Sequence, residues 1–73
     1  MFTALNLESI AKAGGSLVID AKNYTSLNLQ SIAKAGKANG CKMYIKNVSH
    51  LTALNLQSIA KENPGNVTFD LTT

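Results

Sequence analysis

Three stretches of the chain spell one pattern of apolar and polar positions: TALNLESIAK at Thr3–Lys12, TSLNLQSIAK at Thr25–Lys34 and TALNLQSIAK at Thr52–Lys61. The copies start 22 and 27 residues apart, and only their second and sixth positions vary. Within each, Leu7, Ile10 and Ala11 and their equivalents recur at i, i+3 and i+4, the apolar face of a helix. Asn6, Asn28 and Asn55 are predicted N-caps, which puts Leu5, Leu27 and Leu54 at N′ and Ile10, Ile32 and Ile59 at N4, the spacing of a hydrophobic staple. Lys12, Lys34 and Lys61 suit the negative end of a helix dipole. Gly14, Gly36 and Asn63 are placed as left-handed stops, with Pro64 barring continuation of the third helix. Helices of about two turns are too short to stand alone.

Each copy is followed by a stretch of period two: Leu17–Asp20, Cys41–Lys46 and Val67–Leu71. One face collects Leu17, Ile19, Cys41, Met43, Ile45, Val67, Phe69 and Leu71, the other Ser16, Val18, Asp20, Lys42, Tyr44, Lys46, Thr68 and Asp70. The expected fold is α/β: one domain of three α–β repeats (1–22, 23–49 and 50–73). It has a short three-stranded parallel sheet of order 1-2-3, with three short helices on one face. Lys37–Gly40 is read as a loop that lengthens the second unit.

The period and the apolar pairs Leu17-x-Ile19 and Met43-x-Ile45 resemble a leucine-rich-repeat-like β/α solenoid. The Asn of that family would fall at Lys22 and Val48, and Asn23 and Asn47 stand one place off, so the resemblance implies architecture and no buried Asn ladder.

Composition narrows the chemistry. Seven Lys, no Arg and four acidic residues give a net charge of +3 over 73 residues, with the lysines scattered along the chain. Arg supplies most bidentate contacts to guanine and phosphate, so the charge is read mainly as solubility. Lys42, Tyr44 and Lys46 form a small basic–aromatic face, but one ring and two neighbouring aspartates argue against nucleic acid as the partner. No apolar run reaches the roughly 20 residues that span a bilayer, and no membrane partner is expected. The single cysteine, Cys41, fits a reducing cytoplasm, which is the expected location.

Neither Cys41 nor His50 has a companion at ligand spacing, and no phosphate loop or nucleophile constellation is present, so no catalytic residue, metal or cofactor is expected. Pairing Ile19, Ile45 and Phe69 across the sheet would line up Asp20, Lys46 and Asp70, read as an ion-pair ladder that sets register. Almost nothing flanks the three repeats to cap them, and edge strands are pairing templates. The chain is therefore expected to be a non-enzymatic module that associates with itself through edge-strand residues Leu17, Ile19, Val67, Phe69 and Leu71. The alternative is a small monomeric or dimeric inhibitor or regulator that binds a protein through the open sheet face of Val18, Asp20, Lys42, Tyr44, Lys46, Thr68 and Asp70.

Overall fold

Each helix is opened by the same reciprocal pair of hydrogen bonds, three residues earlier than the asparagine caps expected above. In the computed structural model, which describes residues 2–72, Thr3, Thr25 and Thr52 are the N-caps and Asn6, Asn28 and Asn55 stand at N3. The threonine hydroxyl accepts from the asparagine N–H at 3.1 Å in all three boxes, and the asparagine Oδ1 accepts from the threonine N–H at 3.1, 3.2 and 3.1 Å. Asn is a strong cap by itself, but the Thr-x-x-Asn box satisfies two otherwise orphaned N–H groups at once and adds most of a helical turn. The staple positions consequently fall on Phe2, Tyr24 and Leu51 at N′ and on Leu7, Leu29 and Leu56 at N4.

The elements run α1 (Ala4–Lys12), β1 (Leu17–Asp20), α2 (Ser26–Gly36), β2 (Met43–Lys46), α3 (Ala53–Glu62) and β3 (Val67–Phe69). Short 3₁₀ turns occupy Ala21–Asn23 and Lys37–Asn39, so the second unit's extra residues are an ordered turn where a loop was expected. The sheet is parallel with order β1-β2-β3. Leu17, Met43 and Val67 share one row, Val18, Tyr44 and Thr68 the next, and Ile19, Ile45 and Phe69 the third. Two strands are shorter than their alternation suggests: Cys41 precedes β2, and Leu71 lies beyond β3, exposed and off the apolar face to which it was assigned.

The helices cover the face carrying Ile19, Met43 and Ile45, and the core joins these to Leu7, Ala11, Leu29, Ile32, Ala33, Cys41 and Ile59. Its centre is the middle unit, with α2 packed between α1 and α3 and β2 between β1 and β3. Gly36 permits the closest approach: a Cβ there would sit 2.5 Å from the Cys41 Cβ and 3.3 Å from that of Ala11. It closes α2 with φ −86°, and Asn63 has φ −149°, so neither takes the left-handed conformation expected of it; Gly14, at +94°, does. Asn63 is buried instead, its Nδ2 donating to the Cys41 carbonyl at 2.8 Å. Val48, where the resemblance would place an Asn, lies in the apolar core.

Candidate interaction surfaces

The two ends of the array differ from its middle in a way that equivalent positions expose. Ile32 and Gly36 lie on the flank of α2 that meets α1, as the closeness of Gly36 to Ala11 shows. Ile10 holds the place of Ile32 on α1, where no preceding helix lies among the described residues; it is 38% exposed, against 0% for Ile32 and for Ile59. At the other end Leu56 is half-buried where Leu29 is fully buried, and Val67 and Phe69 are half-buried where Met43 and Ile45 are buried.

The edge strands add polar valence to these apolar flanks. Leu17 N–H donates to Lys42 O, and Met43 N–H to Asn66 O, at 2.9 and 2.8 Å. Parallel pairing alternates, so Val18 on β1 and Val67 and Phe69 on β3 turn their backbone groups away from β2. Of the edge residues expected from sequence, Ile19 is buried, Leu17, Val67 and Phe69 are half-buried, and Leu71 stands outside the strand.

The open face brings Val18, Lys42, Tyr44, Lys46 and Thr68 together, with Val18 75% exposed. Asp20 sits opposite Lys46 in register, yet the expected ion-pair ladder is not how the carboxylates are used. Asp20 Oδ1 accepts from Lys22 N–H at 3.0 Å. Asp70 Oδ1 accepts from the Thr72 N–H at 2.9 Å and its hydroxyl at 2.5 Å, while Oδ2 accepts from the Tyr44 hydroxyl at 3.4 Å. A carboxylate two residues before an amide reaches it with little loss of freedom, whereas a lysine across the sheet must order a long chain. These hydrogen bonds hold both carboxyls below their ordinary range: for Asp20 the Lys22 N–H leads, then Asn47, and for Asp70 the Thr72 hydroxyl leads, then its N–H. Lys46 contributes least to either.

A group whose pKa is depressed by folding stabilises above its unfolded pKa and loses that contribution as pH falls through the folded value. Stability is therefore expected to hold from neutrality down to the ordinary carboxylate range and to fall below it. Urea midpoints for the Asp20→Asn/Asp70→Asn double variant should show a shallower acid slope; an unchanged slope would contradict the assignment.

Cys41 is buried, its thiol 2.9 Å from the Gly15 carbonyl, and burial pushes its pKa up, so it fills space as a small apolar group. His50, in the turn before α3, places Nε2 3.2 Å from the Tyr24 carbonyl. Among the described residues no three His, Cys, Asp or Glu side chains gather as metal ligands.

No family model, no curated protein and no solved structure matches this chain. What it does has to be read from its surfaces, and one of these escaped the sequence pattern. With threonine as cap, Leu5, Leu27 and Leu54 move from N′ to N2, on the side of each helix opposite the core, where they are 72, 73 and 71% exposed. The signal was present: Thr-x-x-Asn is a capping box with the shorter amide in place of Gln, and a helical wheel begun at that threonine turns these leucines outward.

Proposed function

We propose that the chain is a non-enzymatic interaction module, a short leucine-rich-repeat-like solenoid that associates with copies of itself through its ends in the cytoplasm. The α3–β3 end of one copy meets the α1–β1 end of the next, repeating the contact that successive units make within the chain. The observation that carries this reading is Ile10, half-exposed at a position that is fully buried wherever a preceding helix exists. Outward backbone groups on β1 and β3 supply the matching hydrogen bonds, and half-buried Val67, Phe69 and Leu56 supply the facing apolar surface. Such a head-to-tail contact closes into a ring or extends as a filament according to its rotation. A core of this size is marginal alone, and each end covered adds stabilisation of about 25 cal/mol per Å² of apolar area buried.

Absolute mass by light scattering across a wide concentration range tests it. The expected result is a mass that rises with concentration, and a 7.7 kDa species throughout for Ile10→Glu and for Val67→Pro, each with its helical circular dichroism retained. Proline is tolerated on an edge strand but removes an outward N–H. A wild-type chain that stays at 7.7 kDa, or a Val67→Pro chain that assembles undiminished, would overturn the reading.

The exposure of Val18 beside Tyr44 favours a second reading, in which the open sheet face of a small monomeric or dimeric regulator receives a protein partner.

A further inference from the structure

The outer side of the helix layer carries a feature that neither the sheet edges nor the open sheet face uses. On each helix the N2 leucine is followed seven residues later by a lysine: Leu5 by Lys12, Leu27 by Lys34 and Leu54 by Lys61. Seven residues are close to two full turns, so each pair lies on one stripe, about 10 Å apart along the axis. All six side chains are exposed. Because the three helices lie side by side over a parallel sheet, the stripes align into two rows, a leucine row near the helix starts and a lysine row near their ends. With helices packed about 8–10 Å apart, each row spans roughly 20 Å.

We infer that this surface rests on an anionic lipid bilayer, the leucine row inserted at the acyl boundary and the lysine row against the headgroup phosphates. Three considerations select that occupant. Charge complementarity comes first: Lys12, Lys34 and Lys61 are exposed, and although half-buried Glu8 lies on the same surface beside Lys12 and Lys34, the three cations leave the stripe net positive. Second, the leucines stand out as a row of single side chains at three-quarters exposure. A docked helix would need a groove with pockets at i, i+3 and i+4, whereas a fluid boundary closes around knobs of any spacing. Third, the third and tenth positions are Leu and Lys in all three copies, and the sixth, which lies between them on the same side of the helix, is Gln in two copies and acidic only at Glu8. No helix is long and apolar enough to cross a membrane, so the chain would lie on the surface. The inference does not rest on end-to-end association; were copies to stack, each would extend both rows.

Sedimentation of the full chain with vesicles tests this. With vesicles of phosphatidylcholine containing about one-third phosphatidylserine, the chain is expected to pellet at low salt and to be released by about 0.5 M salt, where screening is short-ranged. Pure phosphatidylcholine vesicles should leave it in the supernatant. Leu5→Ser/Leu27→Ser/Leu54→Ser, which removes only exposed side chains, should weaken partitioning about tenfold or more while the circular dichroism stays unchanged. Lys12→Gln/Lys34→Gln/Lys61→Gln should weaken it similarly and flatten its salt dependence. The inference is overturned if the wild-type chain stays in the supernatant, binds neutral vesicles equally, or binds as well without its leucines. It is equally overturned if the leucine variant dissociates a wild-type oligomer without changing vesicle binding, since a second copy would then cover the row. Val67→Pro, which keeps both rows, separates the two proposals: it should lose assembly and still pellet with anionic vesicles.

Discussion

Ile32→Ala is expected to destabilise the chain by about 2–5 kcal/mol, the range for emptying a fully buried isoleucine site. A core of this size supplies only about 3–5 kcal/mol in total, so the variant should be partly or wholly unfolded at room temperature. The same substitution at Ile10, on an otherwise matching helix, should cost about 1 kcal/mol because much of that side chain is already in water. The change in helix propensity is common to both sites and cancels in the comparison. Urea titrations followed by circular dichroism at low protein concentration would measure the pair. Equal losses at the two positions would mean that Ile10 is covered in solution, and the difference should shrink as protein concentration rises if copies stack on that end.

Asn63→Asp should cost about 3–5 kcal/mol at neutral pH although it changes a single atom of the side chain. Asn63 Nδ2 donates to the Cys41 carbonyl at 2.8 Å and Oδ1 accepts from Asn66 Nδ2 at 3.0 Å. An aspartate would keep the second bond but turn a buried carboxylate oxygen toward the carbonyl. Burial disfavours its charged form, so its folded pKa would be raised above the unfolded value. The unfolded state would then bind fewer protons across that interval, and stability would rise as pH falls from 7 toward the ordinary carboxylate range. Protonated, the side chain can donate to Cys41 O again. This slope is opposite in sign to that expected of the native sequence on acidification, where Asp20 and Asp70 lose their favourable bonds. Thermal melts of both chains between pH 7 and pH 3 would show the crossing trends; a parallel pair of curves would remove Asn63 from the role described.

The strand register was legible because side-chain alternation admits only pairings that keep like faces together: Leu17, Met43 and Val67 fall in one row because a shift by one would bury Lys42 or Thr68. The helix faces were legible from Leu7 and Ala11 and their equivalents. The cap was harder. Threonine and asparagine both serve at that position, and only the reciprocity of the box, a geometric property of the folded turn, decides between them. That one displacement of three residues hid the outward leucines, because a leucine read as a staple is assumed to be covered. Strand ends were also hidden: Leu71 continues the alternation beyond Phe69, but the pairing ends at Asp70, whose N–H still donates to Ile45 O while its carboxylate accepts from Thr72. The role of Asn63 depends on which carbonyl lies beside it, a contact 22 residues away that no local pattern encodes.

The three capping boxes have one further consequence. Because their hydrogen bonds agree to within 0.1 Å and their sequences are almost interchangeable, the capped first turns carry no address; within the helices, what marks α2 for its slot is Gly36, where a Cβ would meet Cys41. The rest of the address resides in the connecting segments, in the turn at Ala13 and Gly14, the 3₁₀ turn and Gly40 ahead of β2, and the Asn63–Asn66 bridge ahead of β3. During folding, α3 shares the cap and apolar face of α2 but carries Asn63 where α2 has Gly36, so the α2 site disfavours it at the point nearest Cys41. Gly36 and the connectors together are thus what assigns each helix its own slot.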